Sequence, residues 1–267
     1  MKLKPVSLRA ALPLVDKDAV VADAPDDDKL KKNTEDLVAR IAEIQRLFYA
    51  DGRFALLVVL QGRDASGKDG TIRKVFSGVN PQGVQVTSFK VPSDEERSHD
   101  FLWRVHHRVP ARGMIGIFNR SHYEDVIVTR VNGIVPKAVW EARFDQINAF
   151  EKHLFANGVR ILKFFLHVSR AEQLERLRKR LSSSEKNWKY NPGDLAERGK
   201  WKEYTAAYRD AIRRCSTREA PWYVVPSDNK KVRNFLIAQS IADTLGSLNL
   251  RWPKADADVI AKGLDSD

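Results

Sequence analysis

The chain of 267 residues holds a single cysteine, Cys215, which excludes intrachain disulfides and a cysteine-rich zinc site. Its six histidines are scattered, without an H-E-x-x-H arrangement, and the adjacent pair His106 and His107 would point apart on a helix. None of them reads as a metal ligand. No apolar run approaches the ~20 residues of a membrane span, and residues 1–24 lack the hydrophobic block of a secretory signal. A cytoplasmic protein without membrane attachment is expected. Internal repeats and low-complexity tracts are also missing. What remains is a hydrophobic content of 43%, ordinary for a globular chain, in a length that suits one large domain with a sizeable core. The departure from the ordinary is charge. A formal +11 asks for an anionic partner, which could be nucleic acid, a membrane surface or a phosphorylated substrate.

Position narrows that choice. Residues 54–60 form an unbroken apolar run, closed by Gln61, that predicts a strand buried on both faces. Gly62-Arg63-Asp64-Ala65-Ser66-Gly67-Lys68 follows at once, and a helix is expected over 69–76. This is the G-x-x-x-x-G-K phosphate-loop pattern in its strand–loop–helix setting. Glycines let backbone N–H groups close around phosphate oxygens, and the helix N-terminus adds partial positive charge. Gly62, Arg63, Ala65, Ser66, Gly67, Asp69 and Gly70 are therefore candidate phosphate-binding positions. Lys68 sits where the helix dipole already favours anions, so a lysine there is locally unfavourable without a polyanion. Arg63, Arg73 and Lys74 are expected to crowd the same end, offset only by Asp64 and Asp69.

The rest of the chain alternates between strands and helices. Residues 1–28 look like an extended arm, 29–49 an amphipathic helix, and 251–267 a tail. Strands are expected at 84–89, 113–118, 159–168 and 222–225. Helices are expected at 93–107, 136–156, 170–181, 201–215 and 232–245, two of them opening on the capping boxes Ser93-x-x-Glu96 and Ser169-x-x-Glu172. Residues 182–200 are polar, turn-rich and basic, and look like a flap. Five strands alternating with helices predict a parallel, doubly wound α/β sheet with ligands at the strand C-terminal ends.

The loop after Phe118 carries Asn119, Arg120, His122, Tyr123, Glu124 and Asp125. Many phosphate-loop enzymes place a magnesium-binding aspartate at this strand end, and a Ser or Thr after the loop lysine. Here Asn119 and Asp69 stand at those positions. The charge for a metal must come from elsewhere, with Asp64 and Asp69 as candidates; Asp69 is also explained as a helix-start acid. Glu124 fits a capping box with Ser121, or else orients water on the metal or accepts a proton. Arg120 projects beside the phosphate loop, where a cation suits phosphate contact. Arg176, Arg178, Lys179 and Arg180 lead into the flap, which holds Lys186, Lys189, Arg198 and Lys200. A closing lid that carries arginines onto a transferring phosphoryl group is the recurrent solution for that chemistry. So many cations suit a phosphate chain longer than one nucleotide. Trp188, Tyr190 and Trp222 are candidates for stacking a base, though each is also explained by packing.

Together Gly62-Arg-Asp-Ala-Ser-Gly-Lys68, Asn119-Arg-Ser-His-Tyr-Glu-Asp125, Asn187-Trp-Lys-x-x-x-x-Asp194-Leu and Ala220-Pro-Trp-Tyr223 resemble the second family of polyphosphate kinases. The match runs in order over about residues 30–250. The resemblance implies a three-layer α/β/α phosphate-loop kinase fold with a lid, here residues 176–200, within a domain over 29–250. It implies reversible, Mg²⁺-dependent transfer (Mn²⁺ as a substitute) of a phosphoryl group from inorganic polyphosphate to a nucleotide. Asp64, Lys68, Arg120 and Glu124 then become catalytic, with Asp64 and Glu124 holding the metal. Arg176, Arg178 and Arg180 would clamp the phosphate chain, and Asn119, His122, Tyr123 and Asp194 would contact the nucleotide. Asn119 with Glu124 resembles the class III branch, which accepts nucleoside mono- and diphosphates. Members assemble as dimers or tetramers. The rival readings are an ATP-dependent small-molecule kinase, a nucleic-acid-binding ATPase and an inert phosphate-binding module. No helix-turn-helix, zinc finger or aromatic RNA-binding strand supports a nucleic-acid partner.

Overall fold

A computed structural model describes residues 1–7, 11–185, 187–189 and 193–254. The first half runs α1 (Asp27–Asp51), β1 (Ala55–Gln61), α2 (Lys68–Val75), β2 (Val84–Ser88), α3 (Asp94–Ser98), α4 (Trp103–His106), β3 (Ile115–Asn119) and α5 (Glu124–Val131). The second half runs α6 (Lys137–Ala156), β4 (Val159–His167), α7 (Arg170–Leu181), α8 (Gly193–Gly199), α9 (Trp201–Cys215), β5 (Trp222–Pro226) and α10 (Lys230–Gly246). The five strands are all parallel, in the order β2-β3-β1-β4-β5.

Strand alternation sorts the core into two layers. Ala55, Leu57 and Val59 of β1 point into a cluster completed by Val126, Phe144, Ile147, Ala207 and Ala211, on α5, α6 and α9. Leu56, Val58 and Leu60 point the other way, against Leu30, Ile41, Phe48, Val232, Ile237 and Ile241, on α1 and α10. A strand covered on both faces needs apolar residues at every position, which is why the run 55–60 shows no alternation of its own. The result is a three-layer α/β/α fold. Among the described residues no helix is long and apolar enough to cross a membrane.

The register matters for the site. Leu60 lies opposite both Asn119 and Phe164, so β1 and β3 end at the same level and their following loops rise side by side. α1 starts where the Asp26 side chain accepts the Lys29 N–H at 2.8 Å, and stops at Gly52 with φ +63°.

Two expectations are corrected here. The helix expected over 93–107 is two short ones. The Ser93–Glu96 capping box forms, but His99 turns extended and the Asp100 carboxylate accepts the Leu102 N–H, which restarts the chain as α4. Glu124 opens α5 without joining a capping box. Ser121 accepts instead from the Tyr123 N–H and the Gln61 amide, and the Glu124 carboxylate pairs with Arg120. The arm is packed on the body: Val6 donates to Trp222 O, Arg209 donates to the carbonyls of Leu12 and Pro13, and Leu14 is buried.

Candidate active site

The loop between β1 and α2 is held in a shape most residues resist. Gly62, Ala65 and Gly67 all take positive φ, and a Cβ added to Gly67 would run into the guanidinium of Arg233. Lys68 is buried, with its Nζ donating to Gly62 O at 2.7 Å and to Arg63 O at 3.2 Å. Burial, followed by the nearby Arg120 charge, pulls its pKa down to about 8. The ammonium is thus poised over the loop and weakly held as a cation.

Arg120 is the hub of the adjoining wall. It takes φ +63°, donates its backbone N–H to Leu60 O, and sends its guanidinium to Asp64 at 2.6 Å and Glu124 at 3.0 Å. Burial works against its charge, yet Glu124 and Asp64 outweigh it and raise the guanidinium pKa above its ordinary value. Two carboxylates around one cation leave a net negative charge beside Lys68. Asn119 donates its amide to Asp69 at 2.8 Å, so the two residues at the usual metal positions bind each other. Asn119 therefore closes the wall on the loop.

Other predicted residues fall elsewhere. Arg73 and Lys74 lie in the last turn of α2, the end away from the loop, and Lys74 pairs with Glu35 at 3.4 Å. They lie five and six positions along the helix from Lys68, a rise of about 7.5–9 Å, so they do not crowd it. His122 and Tyr123 are turned away from the cleft. Both donate to Glu151 Oε1, at 3.1 and 2.9 Å, and Lys163 joins Glu151, Tyr123 and Cys215 O in the same buried cluster. Their exposures of 1% and 0% leave no surface for a nucleotide. A lysine inside β4 and a glutamate inside α6 have to be paired, and these two rings complete the pairing.

The flap divides likewise. Arg176 spends its guanidinium on protein: Glu172 at 2.8 Å, the carbonyls of Ala65 and Ser66 at 3.1 and 3.0 Å, and those of Ser227 and Asp228 at 2.6 and 2.8 Å. It grips the loop from outside instead of offering itself to the cleft. Arg178 is exposed, and Arg180 pairs with Asp194 at 3.0 Å. Trp222 is a core residue packed edge-on against Tyr123, and Trp188 is 74% exposed. Lys186 and Tyr190 lie outside the described residues.

The cleft itself is lined by Gly62, Arg63, Asp64 and Arg120 on the loop side and by Gln173, Asp194, Glu197, Arg198, Trp201, Tyr204 and Tyr208 on the flap side. Arg63 stacks 3.9 Å from the Trp201 ring and donates to Thr205 at 2.5 Å, while its Nε and Nη1 have no partner among the described residues. Burial lowers its pKa to about 10. Trp201, Tyr204 and Arg233 were missed by the sequence reading. The first two sit in a helix whose amphipathic pattern assigns them to the core side, and nothing local marks an α10 arginine as a neighbour of the loop.

A polyphosphate kinase 2 family profile matches residues 24–251. The chain is 51% identical over 217 residues to an AMP/ADP-polyphosphate phosphotransferase of Meiothermus ruber, covering 81% of each chain. It is 46% identical over 229 residues to an ADP-polyphosphate phosphotransferase of Rhodopseudomonas palustris, covering 81% of this chain and 79% of that one. The crystal structure of polyphosphate kinase 2 from Arthrobacter aurescens superposes with a TM-score of 0.91 at 43% identity, over 97% of this chain and 93% of the other. A phosphate loop, an arginine hub with two carboxylates and a flap across one cleft thus occur in a chain that belongs to the polyphosphate kinase 2 family.

Proposed function

We propose that this protein transfers the terminal phosphoryl group of inorganic polyphosphate to nucleoside mono- and diphosphates, making ADP from AMP and ATP from ADP, and reversibly so. The observation that carries the reading is that Arg63, Asp64 and Arg120 line one cleft under the flap, with Lys68 buried against the same loop and Glu124 bonded to Arg120. Phosphoryl transfer needs little covalent help from protein; positioning and charge stabilisation do most of the work. The donor's P–O–P bond breaks as an oxygen of the acceptor's last phosphate bonds to the departing phosphorus. The polymer leaves one unit shorter.

Lys68 and the loop N–H groups hold the donor's end, and Lys68 neutralises charge that develops on the leaving oxygen. Arg120 and Arg63 face the transferring group from either side of the loop. A divalent metal fits the residues present. Asp64 is a hard oxygen donor lining the cleft and Glu124 a second one on the same Arg120, and no group of three or more His, Cys, Asp or Glu side chains that could cage an ion occurs among the described residues. Mg²⁺ takes one or two carboxylates and fills its shell with phosphate oxygens and water. When bound, it would supply charge neutralisation between donor and acceptor phosphates. Trp201, Tyr204 and Asp194 support an acceptor site on the flap side, with Arg180 holding Asp194 in place. Arg73, Lys74, His122 and Tyr123 drop out of the proposed contacts.

The test is to incubate the protein with polyphosphate and Mg²⁺, or Mn²⁺, and either AMP or ADP, and to resolve the products by anion-exchange chromatography. ADP and ATP are expected from AMP, and ATP from ADP. Transfer to ADP alone would remove the broad acceptor range, and transfer only with ATP as donor would make the protein an ordinary nucleotide kinase. Light scattering on the same preparation reads the expected dimer or tetramer.

A further inference from the structure

Outside the cleft, two guanidinium groups converge on one backbone oxygen of the phosphate loop. Arg176 donates to Ala65 O and Ser66 O, at 3.1 and 3.0 Å, and Arg233 donates to Ser66 O at 3.3 Å. They reach it from different elements, α7 and α10, and neither lines the cleft.

Arg233 is the odder of the two. It is 2% exposed, and its Nε and Nη2 both donate to the side-chain Oδ1 of Asn234, at 3.2 and 3.0 Å. Arg176 has Glu172 beside it, whereas Arg233 pairs with no carboxylate among the described residues. Burying a charge without an opposite one is strongly unfavourable. Burial, and then the neighbouring Arg176, bring its pKa down to about 9, far below that of an ordinary arginine. A cation kept in that setting needs a counter-charge from elsewhere.

The peptide geometry shows where. In a planar trans peptide the C=O and the following N–H point in opposite directions. Fixing Ser66 O on the arginine side therefore turns the Gly67 N–H to the opposite side, into the loop. That N–H makes no hydrogen bond among the described residues. Gly67 holds φ +107°, and a Cβ there would strike Arg233, so the glycine and the arginine are fitted to each other.

We propose that Arg233 is a positioning residue for phosphoryl transfer: with Arg176 it holds the Ser66 carbonyl outward so that the Gly67 N–H faces the donor phosphate. Its buried charge is balanced by that phosphate through the loop. This rests on the function proposed above. It also ties α7, which leads into the flap, and α10 to the same atom of the loop.

The test compares wild type, Arg233→Met and Arg233→Lys for thermal stability with and without tripolyphosphate, and for steady-state transfer from polyphosphate to AMP. Arg233→Met removes an unbalanced buried charge, so its melting temperature without ligand is expected to equal or exceed that of wild type. Its rise on adding tripolyphosphate is expected to shrink to a small fraction. With one of the two grips on the loop peptide lost, kcat is expected to fall about a hundredfold while KM for AMP stays within about twofold. Arg233→Lys keeps the charge and loses the planar fork, so it is expected to recover the tripolyphosphate effect more than kcat. An unchanged kcat in Arg233→Met, or an undiminished tripolyphosphate effect, overturns the proposal. So does a lowered melting temperature with kcat intact, which marks a purely structural arginine. If Arg233→Met does not fold, Arg233→Lys decides: kcat near wild type overturns the proposal, and a tenfold or greater loss with KM for AMP unchanged supports it. Wild type that binds tripolyphosphate but transfers nothing would refute the proposed function, while the melting comparison would still read the role of Arg233.

Discussion

The segment from Asn119 to Asp125 has two sides, and they put similar residues to opposite use. On the cleft side, Arg120 holds Asp64 and Glu124 in a cluster that remains 16–36% exposed. On the inner side, His122 and Tyr123 join Glu151 and Lys163 in a cluster exposed by no more than 1%. The inner charges are matched: one carboxylate, one ammonium, and two ring groups supplying hydrogen bonds. Buried to this degree, they offer a ligand no surface. The outer cluster carries a surplus carboxylate and reaches water, so its partners can be exchanged for phosphate and metal. In the proposed function the outer residues act because their pairing is incomplete, whereas burial confines the inner ones to the core.

That contrast can be broken by substitution. The strongest effect is expected from Lys68→Ala, which should lower transfer about 10³-fold while circular dichroism and melting stay close to wild type. Normal turnover in that variant would remove Lys68 from the chemistry. On the inner side, Lys163→Met leaves Glu151 buried and unpaired, and should destabilise the protein by about 3–5 kcal/mol in urea titration. Activity per folded molecule should be kept; a selective loss of kcat at full stability would merge the two sides. Arg120→Met is the outer counterpart: transfer down about 10²-fold, stability changed by no more than about 1 kcal/mol, because the pair is partly open to solvent.

Finer tests follow. Tyr123→Phe removes hydrogen bonds to Glu151 and Lys163, and should cost about 1–3 kcal/mol without altering KM for AMP. A large rise in that KM would return Tyr123 to the nucleotide. The smallest effect is in pH. Free Lys68 titrates near pH 8, and a bound phosphate anion favours its charged form, which raises the pKa in the complex. Donor affinity should therefore weaken as pH rises above about 8, with proton uptake on binding. Calorimetry at pH 8.5 in two buffers of different ionisation enthalpy measures that uptake, and the absence of any buffer dependence would contradict the assignment.

Much of this was legible in the chain. The apolar run before Gly62 and the G-x-x-x-x-G-K spacing are local patterns, and local patterns survive folding. The helix over 201–215 appears with the expected bounds. The side on which a polar residue ends up was harder. His122 and Tyr123 share a motif with Arg120, yet each step along the turn rotates the side chain to a new direction. A signal does exist: Lys163 interrupts the apolar stretch 161–166 of its strand, and a buried lysine demands a buried carboxylate and further acceptors. Arg73 and Lys74 are close to the loop in sequence, whereas a helix carries them away from it.

The sequence by itself determined the α/β layering, the phosphate loop and its lysine, and the family, because these depend on short-range periodicity and on contiguous motifs. Only the tertiary structure decided that Arg176 and Arg233 grip the loop from outside, that Trp201 flanks the cleft, and that His122 and Tyr123 serve the core. Those roles depend on contacts between residues far apart in the chain, and which partner each side chain meets is settled only when sheet and helices close around it.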